Sequence, residues 1–264
     1  MSNDPITAAE APPAPLLTVL MLTQPSRDKL RAAAWAALCE QVDVDNIEIL
    51  VLADKGCDPA TLPAGLGALP VPTWAKAPTV VDAWPTLTDK LNTGVKLATA
   101  PFITFWDDDD WAEPERIVKT LGAIQAIDAD IYGPPAMLRH ELLAPTRRTL
   151  VYTSPWDLPC LNGTVIRRDL LLRRPFEALH APPTQHNVGA WLRARQQDGV
   201  DFATLDVVIV AMATGGLNAP RQYRVDPVNL RVQDGHEHAI VGARDAVAAI
   251  MGEPALARFE DATR

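Results

Sequence analysis

The stretch FITFWDDDDWAEPERI, residues 102–117, decides how the rest of the sequence is interpreted. Its first five residues are apolar or β-favouring and predict a buried strand, and four aspartates follow that strand without interruption. Two carboxylates about 5 Å apart repel each other by roughly 3 kcal/mol at an effective dielectric constant near 20. So much negative charge at the end of an apolar strand has to be either solvated or neutralised by a cation.

Two interpretations of the aspartates are open. In an extended chain Asp107 and Asp109 point to one side and Asp108 and Asp110 to the other, so one pair could hold Mg²⁺ or Mn²⁺ while the other binds backbone amides. Alternatively, the aspartates form a solvated loop that interacts only with the dipole of the helix beginning near Pro114. The buried strand before them and the Pro-initiated helix after them favour a metal-diphosphate site.

Upstream of this stretch, strand-like and helix-like segments alternate, which is typical of an α/β protein with a parallel sheet. We predict strands over residues 16–23, 46–54 and 102–106, and helices over residues 26–41, 86–100 and 113–127. The segment 55–85 is rich in Pro, Gly and Ala and predicts an irregular loop with one short strand near Val80. Ligands of open α/β sheets bind beyond the carboxyl ends of the strands, which is where Thr23, Asp54 and the four aspartates are expected.

Downstream of Asp130 the pattern changes to short strands around IYG, AMLRHELL, RTLVYT and LNGTVIRR. A helix over 188–199 and a strand over 206–212 follow, and GARDAVAAIMG predicts a further helix near the end. Residues 1–15 are Ala/Pro-rich without periodicity and predict a disordered tail, whereas residues 233–264 are expected to form a C-terminal helical extension.

The bulk composition excludes several classes of protein. A net charge of −9 argues against broad electrostatic binding of nucleic acid, because that mode requires a basic surface. Three widely spaced cysteines indicate neither a disulfide framework nor a zinc site. No segment approaches the length of a membrane span, so we expect a soluble, cytoplasmic protein without an integral membrane segment.

The order of these segments resembles the family-2 glycosyltransferases of the GT-A fold. The resemblance spans residues 17 to about 230 and is most specific over NTGVKLATAPFITFWDDDDWAEPERI. It implies a single GT-A-like (Rossmann-like) α/β domain with a mostly parallel central sheet flanked by helices, over residues 16–232. Within it, residues 16–130 would be the nucleotide-binding half and residues 131–232 the acceptor half.

The resemblance also implies an activity and a set of site residues. The family transfers a sugar from a nucleoside-diphosphate sugar to a hydroxyl acceptor, with Mn²⁺ or Mg²⁺ as cofactor. By resemblance, Asp54 corresponds to the acid that reads the base or ribose, and Asn92 and Gly94 correspond to the turn beside the nucleotide. Asp107 and Asp109 match the family's Asp-x-Asp pair, with Asp109 the direct metal ligand and Asp107 nearer the ribose.

Three further residues are predicted to contact the nucleotide. They are Thr23, Lys90 and Asp108. Lys90 could touch the diphosphate, and the alternative is an ordinary exposed lysine on a helix.

The sequence departs from the family at the expected catalytic base. Counting back from Trp191, the family's Glu-Asp falls on His186 and Asn187, so the usual base is missing. His186 is a candidate base because its ordinary pKa suits proton transfer, and Asp157 is a substitute candidate. A retaining transfer needs no protein base, so the stereochemistry is open.

A second departure lies near the end of the resemblance. The family's Tyr-Arg-x-His is YRVD in this chain, so Asp226 stands where the family has a histidine that can face the metal. A carboxylate is a hard ligand, and Asp226 is therefore a further candidate metal ligand.

Other classes of function compete with a transferase. A degenerate sugar-nucleotide-binding or scaffold protein would fit the loss of the base at Asn187. A phosphatase with a nucleophilic Asp-x-Asp is disfavoured, because Asp110 and Trp111 follow the pair where such enzymes have small residues and Thr or Val. The acceptor could be a glycan, a lipid-linked carrier, a protein or a modified base, whereas the acidic charge disfavours a nucleic acid.

Overall fold

The computed structural model of the chain describes most of the segments named above. The described residues are 14–44, 47–54, 56–57, 79–81, 86–142, 149–153, 158–177, 188–213, 238–242 and 244–263. Their strands are β1 (Leu17–Thr23), β2 (Ile47–Asp54), β3 (Thr79–Val81), β4 (Phe102–Phe105), β5 (Asp110–Ala112), β6 (Ile131–Gly133), β7 (Ala136–Glu141), β8 (Thr149–Thr153), β9 (Val165–Arg167), β10 (Phe202–Thr204), β11 (Ile209–Ala213) and β12 (His238–Gly242). Their α-helices are α1 (Asp28–Cys39), α2 (Leu87–Leu97), α3 (Arg116–Ala126), α4 (Arg168–Arg173), α5 (Val188–Gln197), α6 (Arg244–Met251) and α7 (Glu253–Ala262).

The larger of two sheets has seven strands in the order β10-β6-β9-β4-β1-β2-β3. Strand β9 is antiparallel to both of its neighbours, and the other strands described in this sheet all run in one direction. The α/β class and the mostly parallel central sheet predicted from the sequence are therefore confirmed.

Strands β1 and β2 form the centre of this sheet and are buried along nearly their whole length. Parallel strands covered on both faces require such continuous apolar sequences. Glu48 is a buried charged residue in β2, and its carboxylate accepts hydrogen bonds from Thr18 Oγ1 (2.6 Å) and Thr99 N (2.7 Å). These bonds satisfy a buried charge and connect β2 to the segment that precedes β4.

Helix α2 lies against the central strands through a glycine. A Cβ atom on Gly94 would lie 2.6 Å from both methyl carbons of Leu20 and 3.1 Å from a methyl of Leu52, so any side chain there would force Leu20 to shift. The helix begins where Thr86 Oγ1 accepts a hydrogen bond from Asp89 N (3.1 Å), which is an ordinary N-cap. The close packing of Gly94 on Leu20 and the N-cap at Thr86 together set the position of α2 over the sheet.

The smaller sheet has five strands in the order β12-β8-β7-β11-β5. Its edge strand β5 begins at Asp110, inside the segment for which the sequence predicted an acidic loop. The chain therefore passes from the larger sheet to the smaller one in the turn between Phe105 and Asp110. Sequence periodicity did not predict β5 because a three-residue strand is too short to show alternation.

Helices α1 and α3 start later than predicted. Helix α1 is preceded by a short 3₁₀ turn, Pro25–Arg27, rather than starting at residue 26. Helix α3 starts at Arg116 rather than at residue 113, and Gln41 Oε1, from the end of α1, accepts a hydrogen bond from Ile117 N (3.0 Å). A cap supplied by a distant residue leaves no local sequence signal.

The last two helices pack into the same core as the central strands. Val247, Met251, Leu256 and Phe259 belong to the apolar cluster that contains β1 and α1, and α7 lies against α1. Arg258 forms an ion pair with Glu40 at the end of α1. Within the described residues, no helix has both the length and the apolar character that crossing a bilayer demands.

Candidate functional site

The four consecutive aspartates form a tight turn at the carboxyl edge of the larger sheet. Trp106 N donates to Leu20 O (3.1 Å), which extends the pairing of β4 with β1, and Asp110 N then donates to Asp107 O (3.1 Å). Because the chain turns here, the side chains do not alternate as they would in an extended strand. The expectation that Asp110 points away from Asp107 and Asp109 is therefore wrong.

Three carboxylates meet in this turn. Asp107, Asp109 and Asp110 each offer an oxygen, and these oxygens lie within 4.8 Å of one another. Ligand oxygens on opposite sides of a Mg²⁺ ion are about 4.2 Å apart, from metal–oxygen distances of about 2.1 Å. Three carboxylate oxygens within 4.8 Å of one another are suited to holding a small divalent cation once the side chains rotate toward it. The group contains Asp107 and Asp109, two of the three predicted metal ligands, and adds Asp110, which was not predicted as a ligand.

The remaining aspartate faces an arginine. Asp108 is buried, and its Oδ1 accepts a hydrogen bond from Arg27 Nη1 (2.5 Å), which also lies 3.2 Å from Asp109 Oδ2. The second oxygen of Asp108 is buried and has no hydrogen-bond partner among the described residues. Burial raises the pKa of Asp108, and the charge of Arg27 opposes that rise. Arg27 was not predicted, because no periodicity marks a residue in a turn.

Asp110 is hydrogen-bonded to Asn162 and is influenced by the charge of a second buried cation, Arg116. Asn162 Nδ2 donates to Asp110 Oδ2 (2.5 Å). Arg116 Nη2 donates to the carbonyl oxygens of Phe105 (2.7 Å) and Asn162 (2.8 Å), and its guanidinium lies 4.5 Å from the centroid of the Trp106 ring. Arg116 thus holds the end of β4 against the turn at Leu161–Gly163.

Burial is the largest influence on the pKa values of Asp110 and Arg116. It raises the pKa of Asp110 well above its ordinary value, and the charges of Asp107 and Asp109 raise it further, whereas the hydrogen bond from Asn162 lowers it. Burial also lowers the pKa of Arg116 to about 10, although Asp110 and Asp107 act in the opposite direction. Burial and mutual repulsion therefore disfavour the ionised carboxylates of this turn. A bound cation would relieve that repulsion and favour their ionised form.

The ends of β1 and β2 are joined by a buried lysine. Lys90 Nζ donates to Thr23 O (2.6 Å) and to Asp54 Oδ1 (2.7 Å). The Asp54 side chain is 35 % exposed, whereas that of Lys90 is 5 % exposed. The alternative of an ordinary exposed lysine is therefore wrong. Thr23 and Asp54 lie at the sheet edge as predicted, and Lys90 connects them.

The predicted Asn92 and Gly94 have structural partners. Asn92 Nδ2 donates to Phe176 O (2.8 Å), and Phe176 N donates to Asn92 Oδ1 (3.0 Å). This two-way pairing fixes α2 to the segment after α4, while Gly94 permits the close packing of α2 on β1. Their roles beside a nucleotide stay predictions.

Several predicted residues lie outside the described residues. They are Asp157, His186 and Asp226, together with Asn187 at the position of the expected base. Their roles as base or metal ligand also stay predictions.

Comparison with known families gives one sequence match. A sequence model described as Glycosyl transferase family 2 matches residues 84–180, which include Lys90, Asn92 and the acidic turn. No curated protein matches the chain in sequence.

Solved structures share the fold. TarS 1–349 from S. aureus in complex with UDP-GlcNAc is similar with a TM-score of 0.56 and 16 % identity, covering 76 % of this chain and 59 % of that one. The mannosyltransferase PcManGT from Pyrobaculum calidifontis, in complex with GDP-Man and Mn²⁺, gives the same TM-score, identity and coverage. This chain thus spans about three fifths of the length of these relatives. At such identities the likeness shows the fold alone. Together with the sequence match over residues 84–180, it confirms the predicted resemblance to the family-2 glycosyltransferases of the GT-A fold.

Proposed function

We propose that this chain, which carries a family 2 glycosyltransferase segment on the fold of solved glycosyltransferases, transfers a sugar from a nucleoside-diphosphate sugar to a hydroxyl acceptor with the help of Mn²⁺ or Mg²⁺. The observation that carries the proposal is the convergence of Asp107, Asp109 and Asp110 within 4.8 Å at the carboxyl edge of the sheet. Open α/β sheets bind their ligands at that edge.

The donor site is assigned to the groups along this edge. Asp54 is partly exposed beside the end of β1, so it is accessible to a base or ribose, and Lys90 holds its carboxylate in place. The neighbouring structures bind UDP-GlcNAc and GDP-Man, which supports a nucleotide sugar as the donor class. Asp107 and Asp109, with Asp110, would hold the cation beside the diphosphate.

The chemistry divides between the cation and the chain. When bound, the metal supplies Lewis-acid stabilisation of the departing nucleoside diphosphate. The chain orients the donor through the sheet edge, and in an inverting reaction it must also remove a proton from the acceptor hydroxyl. We assign that role to His186, with Asp157 as the substitute, and Asp226 is proposed as a further metal ligand.

Binding of donors with and without Mn²⁺ tests the proposal. A thermal-shift and calorimetric panel of nucleoside diphosphates and their sugars should give a shift that needs Mn²⁺ for one nucleotide, because ligands that bind only the folded state stabilise it. Asp109→Asn removes one charged ligand and should weaken Mn²⁺ binding at least about tenfold. Asp169→Asn, at an exposed ion pair on α4, is the matched control and should leave binding unchanged. Absence of any nucleotide-dependent shift in the wild-type protein would remove the basis of the proposal.

A second candidate is a nucleotide-sugar-binding protein that does not turn over. The observation that favours it is Asn187 at the position of the family's carboxylate. Release of the nucleoside diphosphate from the identified donor, by transfer or by hydrolysis, separates the two candidates. Binding without release, across a panel of glycan, lipid-linked and peptide acceptors, would favour the non-catalytic candidate. Release of phosphate from simple phosphomonoesters would instead favour a phosphatase.

A further inference from the structure

Arg27 is the cation that faces the acidic turn from the end of β1. It lies in the short turn Pro25–Arg27, and its side chain is 11 % exposed. Its Nη1 atom contacts Asp108 Oδ1 (2.5 Å) and Asp109 Oδ2 (3.2 Å). Although burial acts to lower it, the charges of Asp108 and Asp109 raise the pKa of Arg27, so this side chain is fully charged.

This ion pair is incomplete. Arg27 Nε and Asp108 Oδ2 are both buried and have no hydrogen-bond partner among the described residues. A buried polar atom without a partner costs free energy, so native structures rarely leave one unsatisfied unless a ligand or water completes the site. Two such atoms in one ion pair next to a carboxylate cluster indicate that a further polar group belongs there.

Arg27 and a metal ion would compete for the carboxylate of Asp109. The carboxylate that Arg27 contacts belongs to the cluster that fits a divalent cation. A guanidinium beside the cluster neutralises part of its charge and repels a second cation. In the absence of nucleotide, the positive charge of Arg27 should therefore weaken the binding of a metal ion.

A donor diphosphate changes this balance, because it brings at least two negative charges to the same place. Arg116 cannot respond to it, since this arginine is 1 % exposed and its Nη2 atom is held by carbonyl oxygens. Arg27 keeps some exposure, and a planar guanidinium is suited to two-point contact with phosphate oxygens. Of these two arginines, Arg27 is therefore the one whose side chain can move from carboxylate to phosphate.

We propose that Arg27 couples the binding of metal and donor: it holds Asp108 and Asp109 in the empty site and contacts the donor's diphosphate in the loaded one. This inference rests on the proposed function and adds to it a residue that links the binding of the metal to the binding of the donor. Its consequence is reciprocal, because a residue that makes the metal bind more tightly in the presence of nucleotide must make the nucleotide bind more tightly in the presence of metal.

The affinity for Mn²⁺ with and without a nucleoside diphosphate tests the coupling. UDP and GDP are the probes, and free Mn²⁺ is measured by its paramagnetic resonance signal. Arg27→Met, which keeps the apolar stem and loses the charge, should bind Mn²⁺ alone more tightly, by about threefold or more. The same variant should bind the nucleotide in saturating Mn²⁺ roughly tenfold to a hundredfold more weakly. Opposite signs in one variant are not expected from a purely structural role, which would weaken both.

Two further variants complete the experiment. Arg27→Lys keeps the charge but loses the forked geometry, so it should change both affinities in the same directions by smaller factors. Arg173→Met removes an exposed arginine that also pairs with an aspartate and should change neither. If Arg27→Met and Arg27→Lys both fail to fold, or if both weaken the two affinities in parallel, the residue is structural and the inference is wrong.

The wild-type protein separates this inference from the proposed function. If it binds neither Mn²⁺ nor a nucleoside diphosphate, the proposed function fails and the coupling fails with it. If it binds both while Arg27→Met matches it in each affinity, the coupling alone is wrong.

Discussion

Asp110 shows how one buried residue sets the pH dependence of the metal-free protein. Its carboxyl is 2 % exposed, and burial raises its pKa well above the ordinary value. Between the ordinary pKa, about 3.9, and the raised one, the folded chain binds more protons than the unfolded chain. The stabilising contribution of this proton is therefore complete below about pH 4 and is lost as the pH rises through the raised pKa of the folded state.

The variant Asp110→Asn tests this direction. An asparagine resembles the protonated acid and can still accept the hydrogen bond from Asn162. In the presence of a chelator, the melting temperature of the wild-type protein should fall relative to that of the variant as the pH is raised from about 4.5 to 8. Asp169→Asn, at an exposed position, is the control. A difference between wild type and variant that does not change with pH would contradict the assignment.

Among the elements, helix α2 is positioned by the absence of a side chain. Gly94 allows the helix to approach β1 so closely that the Leu20 methyl carbons lie 2.6 Å from the place that a Cβ atom would take. Alanine is favoured over glycine inside a helix by about 1 kcal/mol. Overpacking a core commonly costs about 1–3 kcal/mol, so at this position packing should outweigh helix propensity.

A pair of glycine variants separates the two effects. Gly94→Ala should lower the free energy of unfolding by roughly 1 kcal/mol, the balance of the two effects. Gly122→Ala, in α3, should raise it by about 0.5–1 kcal/mol, because a Cβ there meets nothing within 4 Å. Denaturant unfolding measures both. Equal stabilisation by the two substitutions would show that the sheet yields to the added methyl group.

The elements also show what the sequence could predict and what it could not. Strands β1, β2 and β4 and helix α2 follow from apolar runs and helical spacing, because each is long enough to display its period. The short strand β5 and the cap that Gln41 gives to α3 depend on contacts between distant segments.

Some residues of the candidate site could likewise be predicted from the sequence, and others could not. The positions of Asp54 and Asp109 follow from strand ends, which the sequence indicates. The participation of Asp110 depends on a turn, and the ion pair between Arg27 and Asp108 crosses about eighty positions of the chain. No local pattern encodes either one.

At the scale of the whole molecule, the last two helices take part in the main core. Leu256 and Phe259 are fully buried, and Arg244 forms ion pairs with Glu253 and Glu260 that hold α6 to α7. Residues 233–264 were predicted as an extension. Helices α6 and α7 contribute side chains to the apolar cluster that contains β1 and α1, so these helices and the central sheet stabilise each other.

Phe259→Ala tests that dependence. Removing a fully buried phenylalanine should cost about 3–5 kcal/mol and should lower the midpoint of the main unfolding transition. Ile250→Ala, at a side chain that is 39 % exposed in α6, should cost less than about 1 kcal/mol. If Phe259→Ala left the main transition in place and changed only a separate minor one, the C-terminal helices would be an independent unit.

The acidic turn has a backbone held at both ends. On one side Trp106 continues the ladder of β4 with β1, and on the other Asp110 opens β5, which pairs with β11. A segment fixed in this way has little conformational freedom left to lose when an ion arrives. The carboxylates are thus carried by a rigid backbone, and they can adjust to an ion only by side-chain rotation. Selectivity among cations would therefore depend on the size of the ion and not on folding of the loop.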